Sequence, residues 1–300
     1  MPCTVGFASC GPEGPQPFAD RLRRTVWAFV FVVAFVLSPW GPLPAAAAPF
    51  RLHVKSAILL NTADGQILYA QNPDLPIPPA SITKIMTLYL AYEAVAAGRA
   101  HWTDRVRVSR KARYTGGSRM FLDENTSLTL GDLAAGTSIV SANDGAVAIA
   151  EYLAGSVEDF VKLMNRKARE LGMNGTVFKN PHGLPAKGQT TTARDILKLS
   201  HSYLTTFPQA LSIHSQQTYT YHNITQYNRN RLLRKYPGAD GIKTGFIAKS
   251  GYNIAATAKR GDTRLIAVVL GAATPAIRVR ETTKLLDEGF SRINGLGKGG

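Results

Sequence analysis

Ser81 and Lys84 stand three residues apart in Ser81-Ile82-Thr83-Lys84, a spacing that puts two side chains on one face of a helix. From Ile82 to Gly98 the chain reads ITKIMTLYLAYEAVAAG, apolar nearly all round, with Lys84 and Glu93 its only charges. Such a stretch predicts a helix buried inside a domain. An ammonium there is costly unless it is paired or gives up its proton, and desolvation lowers a lysine pKa. A lysine that is neutral near pH 7 is a base. Ser81 falls within its reach, at a helix N-terminus whose partial positive charge favours a developing alkoxide or oxyanion. Ser81 is therefore the candidate nucleophile and Lys84 its activator. A lone S-x-x-K is more often an N-cap serine followed by a snorkelling lysine, so the pair needs support from elsewhere in the chain.

That support comes from two further motifs. Ser141-Ala142-Asn143 stands at a helix start well after Ser81, and Lys243-Thr244-Gly245 lies on a β run later still. Each is weak alone, because S-x-N is a common cap and K-T-G on a strand is usually an exposed edge. As an ordered set behind a buried S-x-x-K, they can bring hydroxyl, amide and ammonium groups to one cleft.

The elements that must position these residues can be read in order. Lys55–Asn61 and Gly65–Ala70 are β-rich runs with the turn pair Asp64-Gly65 between them, a hairpin signal. A proline-rich stretch from Asn72 to Ala80 ends any strand before Ser81. Residues 101–130 read as irregular, with a short strand at Arg105–Val108 and the paired glycines Gly116 and Gly117. Helical patterning returns at Gly131 and continues through Ser141–Gly155. An amphipathic helix follows at Val157–Leu171, with Ser156 and Asp159 as capping groups. Thr176–Leu184 reads as strand then turn, Thr191–Leu204 as a helix, and Gln216–Thr225 as an extended segment. Gly241–Phe246, Gly251–Arg260 and Thr263–Ala272 form a three-strand meander, and Pro275–Phe290 a closing helix. Two strands near the start and three near the end, with helices between, predict an α+β fold: an antiparallel sheet built from both termini and packed with helices.

Composition narrows the function. Lys and Arg outnumber Asp and Glu by 35 to 20 over 300 residues, a formal charge of +15. Arg21-Leu22-Arg23-Arg24, the apolar run Thr25–Leu37 and small residues up to Ala47 predict a secretory signal over residues 1–47, a catalytic domain over 48–290 and a glycine-rich, flexible tail over 291–300. Both cysteines, Cys3 and Cys10, fall in that leader, so no disulfide, catalytic thiolate or Cys-held metal is expected in the mature chain. Export of so basic a chain points to an anionic envelope surface rather than nucleic acid. The six histidines never pair at ligand spacing, so no metal is expected.

The three motifs together resemble those of the D-alanyl-D-alanine carboxypeptidases, the low-molecular-mass penicillin-binding proteins of serine peptidase family S11. The resemblance runs from about Lys55 to Phe290 and takes in PASITK, SANDGAVAIAE, NPHGL, NRNRLL and DGIKTG followed by GYN. It implies a β-lactamase/transpeptidase-like fold and no cofactor. Ser81 would attack the penultimate D-Ala carbonyl of a peptidoglycan stem pentapeptide, and Lys84 would take its proton. Ser141 with Lys243 would return a proton to the leaving amine, and Asn143 would hold the acyl-side amide. Thr244, within Lys243-Thr244-Gly245, and Arg229 would bind the terminal carboxylate, and the backbone amides of Ser81 and Phe246 would form the oxyanion hole. β-Lactams would acylate Ser81. Many relatives carry histidine where this chain has Phe246. Longer ones add a β-rich domain and an amphipathic anchor, which implies here an exported, single-domain enzyme of the periplasm or envelope without a C-terminal anchor. A class A β-lactamase would share the motifs but needs an acid for deacylation, and Leu171–Arg194 contains none. A D,D-endopeptidase of the same fold and a catalytically silent binding module are the other readings.

Overall fold

The computed structural model describes residues 50–296. The predicted leader, with Cys3 and Cys10, lies outside the described residues. In chain order the elements are β1 (Ser56–Asn61), β2 (Ile67–Gln71), a 3-10 turn (Ala80–Thr83), α1 (Lys84–Ala96), β3 (Arg105–Arg107), α2 (Arg110–Arg113), β4 (Ser127–Thr129), α3 (Leu130–Ile139), α4 (Asn143–Ala154), α5 (Val157–Glu170), α6 (Ala193–Thr206), a second 3-10 turn (Pro208–Ala210), α7 (Leu211–His214), β5 (Thr218–Tyr221), β6 (Ile224–Tyr227), α8 (Leu232–Lys235), β7 (Ala239–Ile247), β8 (Gly251–Arg260), β9 (Thr263–Ala272) and α9 (Pro275–Leu296).

Five strands pair in the order β2-β1-β9-β8-β7, antiparallel throughout, so strands from both ends of the chain share one sheet. Period-two alternation divides their side chains between two faces. Ile58, Leu60, Ile266, Val268 and Leu270 join the core of the helical body. Leu59 and Leu265 point the other way and meet α9, where a Cβ on Gly289 would lie 2.5 Å from Leu59 Cδ2. This explains why SAILLN is apolar without alternation: every residue of β1 is buried. β7 is an edge strand, and the 3-10 turn that carries Ser81 packs against it.

In the helical body α1 is buried over most of its circumference. α5 is amphipathic, with Val157, Phe160, Met164 and Ala168 inward. Its Ser156 accepts from the Asp159 amide, as the capping signal predicted. Four sequence expectations change. The helical pattern from Gly131 to Gly155 is two helices, broken at Ser141, whose φ of 65° is left-handed. Thr176–Leu184 contributes only an isolated bridge, Val177 to Thr190, rather than a strand. Gln216–Thr225 belongs to a hairpin, β5 to β6, turned at His222-Asn223 with φ of 46° and 59°. The closing helix passes Phe290 and runs to Leu296, where a glycine-rich tail was expected. Arg292 holds that last stretch by donating to the Leu68 carbonyl and to Glu288.

Candidate active site

Ser81 sits in the 3-10 turn that leads into α1, and Lys84, fully buried, is the first residue of the helix. Lys84 Nζ lies 3.1 Å from Ser81 Oγ, 2.6 Å from Asn143 Oδ1 and 2.7 Å from the His182 carbonyl oxygen. The Asn143 amide orientation is fixed because its nitrogen donates to the Gly116 carbonyl at 2.6 Å, leaving the oxygen toward the lysine. Two partners of Lys84 are therefore obligate acceptors, and only Ser81 can donate. A neutral amine fits this geometry: its two N–H groups satisfy Asn143 and His182, and its lone pair faces the Ser81 hydroxyl. Burial pushes the Lys84 pKa well below that of a free lysine, the nearby Lys243 adds repulsion, and Asp144 opposes both.

Tight backbone packing holds the turn that carries Ser81. A Cβ on Gly245 would lie 2.9 Å from the Ser81 nitrogen, so only glycine lets β7 pass this close. Gly183, with φ of 88°, abuts the Ala80 carbonyl at a distance no Cβ could accept. Gly117 has φ of 83°, and a Cβ there would come within 2.6 Å of Asn143 Nδ2. Of the paired glycines, Gly117 alone takes the left-handed conformation. Ser118 then caps α4 by accepting from the Asn143 backbone amide at 2.8 Å.

A cavity of about 510 Å³ opens over this turn, and Ser81, Ser141, Arg229, Thr244, Gly245 and Phe246 all line it. Lys84, Asn143 and Lys243 stand behind that surface, buried. Lys243 has no carboxylate partner among the described residues; burial, with repulsion from Arg278 and Arg229, brings its pKa down to about 7. Phe246 is half-exposed and stacks on Tyr252, ring centroids 4.3 Å apart, so its side chain forms part of the rim.

Sequence reasoning missed three contributors. The His182 carbonyl holds Lys84; the imidazole beside it stays neutral, its pKa lowered to about 3 by burial and by Lys84. Ser118 lines the cavity. Arg278, in the first turn of α9, lines it too; the residue is 6% exposed, with no ion pair among the described residues and Nε without a hydrogen-bond partner. Burial, aided by Arg231, lowers its pKa to about 10. A buried cation without an anion is costly, and a negative ligand in the cavity would offset that cost. In the sequence it is one arginine of many, with no motif to mark it.

Comparison with known proteins agrees with this arrangement. Residues 44–274 match the family described as D-alanyl-D-alanine carboxypeptidase, Peptidase_S11. The chain is 40% identical over 280 residues to D-alanyl-D-alanine carboxypeptidase DacC of Escherichia coli (strain K12), covering 91% of this chain and 70% of that protein. Among solved structures it resembles penicillin binding protein 5 from Haemophilus influenzae, with a TM-score of 0.79 and 38% identity over 82% of this chain and 73% of that one. It also resembles Penicillin-Binding Protein D2 from Listeria monocytogenes in an ampicillin-bound form, with a TM-score of 0.74 and 33% identity over 81% and 99% of the two chains. By sequence, fold and the arrangement around Ser81, the chain belongs to the D-alanyl-D-alanine carboxypeptidase family, peptidase family S11.

Proposed function

We propose that the protein is a serine-type D-Ala-D-Ala carboxypeptidase that removes the terminal D-Ala from peptidoglycan stem pentapeptides through an acyl-enzyme on Ser81. The observation that carries this reading is the Ser81–Lys84 pair opening into a cavity lined by Arg229, Arg231, Arg234 and Arg278. In the reaction Lys84 takes the Ser81 proton as Oγ attacks the penultimate D-Ala carbonyl. The Ser81 and Phe246 amides receive the oxyanion. The C–N bond breaks, Ser141 and Lys243 pass a proton to the departing amine, and water releases the acyl group. Asn143 keeps one N–H beyond its bond to Gly116 for the acyl-side amide. Thr244, Arg229 and Arg278 take the terminal carboxylate.

A β-lactam carries an activated amide carbonyl and a carboxylate, and so enters the same cavity and acylates Ser81. The adduct clears slowly, because no acid lies between Leu171 and Arg194 to drive water onto it. The excess of basic residues suits an exported enzyme working at an anionic envelope surface. Among the described residues no helix is long and apolar enough to cross a membrane. The test is release of free D-Ala from a stem pentapeptide, with fluorescent penicillin labelling of wild type and Ser81→Ala. Equal labelling of the two proteins would remove Ser81 from its role.

A further inference from the structure

A second cavity, about 630 Å³, lies beside the first, lined among others by Pro76, Pro78, Lys187, Gln189, Ile247 and Lys249. Successive residues of β7 line the two: Gly245 and Phe246 the catalytic cavity, and Ile247 the next. The polarity of the catalytic cavity decides what can reach the second one. Thr244 and the arginines receive a terminal carboxylate, so the acyl part of the peptide must leave Ser81 in another direction. The open edge of β7 beyond Gly245 offers it a path for extended pairing. Ile247 is two residues past Gly245, about 6.6 Å along the strand, which is also the span of two extended peptide residues.

The walls are preformed. Ile77 and Thr191 exchange backbone hydrogen bonds at 2.8 and 2.9 Å, tying the proline segment to the loop that ends there. Buried Gln189 braces the same loop, donating to the Leu184 carbonyl at 2.9 Å and accepting from the Lys179 amide at 3.0 Å. The charge is of one sign. No residue lining the cavity is acidic, and among the described residues neither Lys187 nor Lys249 is ion-paired. A fixed groove with two unpaired lysines suits an extended chain bearing carboxylates.

We propose that this groove binds the acidic upstream part of the stem peptide, the γ-linked D-glutamyl residue and its neighbour, with Lys187 and Lys249 receiving the free carboxylates. The site would thus distinguish stems whose carboxylates are free from stems in which they are amidated. This rests on the carboxypeptidase reading.

The experiment compares kcat/KM for L-Ala-γ-D-Glu-L-Lys-D-Ala-D-Ala with that for its isoglutaminyl counterpart, which differs by one carboxylate. Diacetyl-L-Lys-D-Ala-D-Ala, which lacks the upstream residues, is the control. Two exposed charge contacts predict a preference for the acid form of about threefold to tenfold at low salt, shrinking as ionic strength rises. Lys187→Gln with Lys249→Gln should abolish it, and Lys249→Glu should reverse it, while the diacetyl substrate and penicillin acylation stay unchanged. Equal use of acid and amide forms by the wild type, or a preference surviving in the double variant, overturns the proposal. If no substrate releases D-Ala, the carboxypeptidase reading is what fails. The groove is then judged by anisotropy of labelled L-Ala-γ-D-Glu-L-Lys on the full chain, where binding that is insensitive to both lysines overturns it.

Discussion

Asn143 Oδ1 is closer to Lys84 Nζ, at 2.6 Å, than Ser81 Oγ is, at 3.1 Å. Together with the His182 carbonyl, the amide therefore aims the amine, leaving the third direction to the serine. Asn143→Asp should replace a neutral acceptor with an anion at the same place, stabilise the ammonium and raise the Lys84 pKa. The acidic limb of the acylation rate against pH should move up by a unit or more. At pH 7 the rate should then fall about tenfold or more and recover at high pH. An unshifted limb would separate Asn143 from the protonation of Lys84.

Lys84→Arg tests the base itself. A guanidinium stays charged at any working pH and cannot take the Ser81 proton, so penicillin acylation should fall by about 10²- to 10⁴-fold. Circular dichroism would verify that the fold persists. Acylation near the wild-type rate in this variant would rule out Lys84 as the proton acceptor.

Gly117→Ala makes a positional claim. The methyl group would lie 2.6 Å from Asn143 Nδ2 on a residue with φ of 83°, so either the loop or the amide must shift. A misplacement of this size should cost about 10²-fold in acylation, with stability falling by roughly 1 kcal/mol. Gly65→Ala serves as the control, because its φ is 73° but nothing lies within 4 Å of the added Cβ. It should lose similar stability and no activity.

The sign of the pH dependence of stability follows from Lys243. Its folded pKa, about 7, lies below that of an unfolded lysine near 10.4, so between those values the unfolded chain binds more protons. Stability should rise with pH across that window, by up to about 1.4 kcal/mol per unit. Below pH 7 the cost of burying the charge is fully present. Lys243→Met removes this contribution while Lys84 still supplies its own. Urea midpoints at pH 6.5 and 8.5 should therefore show the variant gaining more over wild type at the lower pH, and parallel curves would contradict the assignment.

The parts of the site that the sequence exposed are those written in short segments. Ser81 and Lys84 share one turn, Lys243 to Phe246 share one strand, and the meander was legible because its apolar runs end at turn residues. What it hid depends on distant partners. The carbonyl that holds Lys84 belongs to His182, ninety-eight positions away, and a backbone oxygen leaves no mark in residue type. The sequence places Ser141-Ala142-Asn143 at a helix start, but residue type does not show the left-handed backbone at Ser141 that separates α3 from α4. Just past it, the Asn143 amide donates to the carbonyl of Ser118, a partner from a distant loop. The β5–β6 turn uses His222-Asn223 rather than an asparagine–glycine pair, so its usual signal is absent. α9 outruns Phe290 through the contacts of Arg292 rather than through intrinsic preference.

Arg278 offers a test of carboxypeptidase against endopeptidase action. An exopeptidase must recognise the terminal carboxylate, and this buried guanidinium, without an anion among the described residues, faces the cavity beside Arg229 and Thr244. Losing one charge-assisted hydrogen bond costs about 1.5 to 3 kcal/mol, roughly ten- to a hundredfold in kcat/KM. Arg278→Met keeps an apolar side chain of similar length and removes the charge, together with the guanidinium contact over the Tyr252 ring, so it should cut D-Ala release from a pentapeptide by about that factor. Arg229→Ala, at an exposed position, should cost less. Penicillin acylation should fall less in both, because the β-lactam ring brings reactivity of its own. The measurement is free D-Ala from a pentapeptide set against cleavage of a lysine-type cross-linked dimer whose scissile bond carries no adjacent carboxylate. A wild type that cleaves the dimer faster would transfer the chemistry of Ser81 and Lys84 to an internal bond, whereas an Arg278→Met that leaves D-Ala release intact would remove Arg278 from carboxylate recognition.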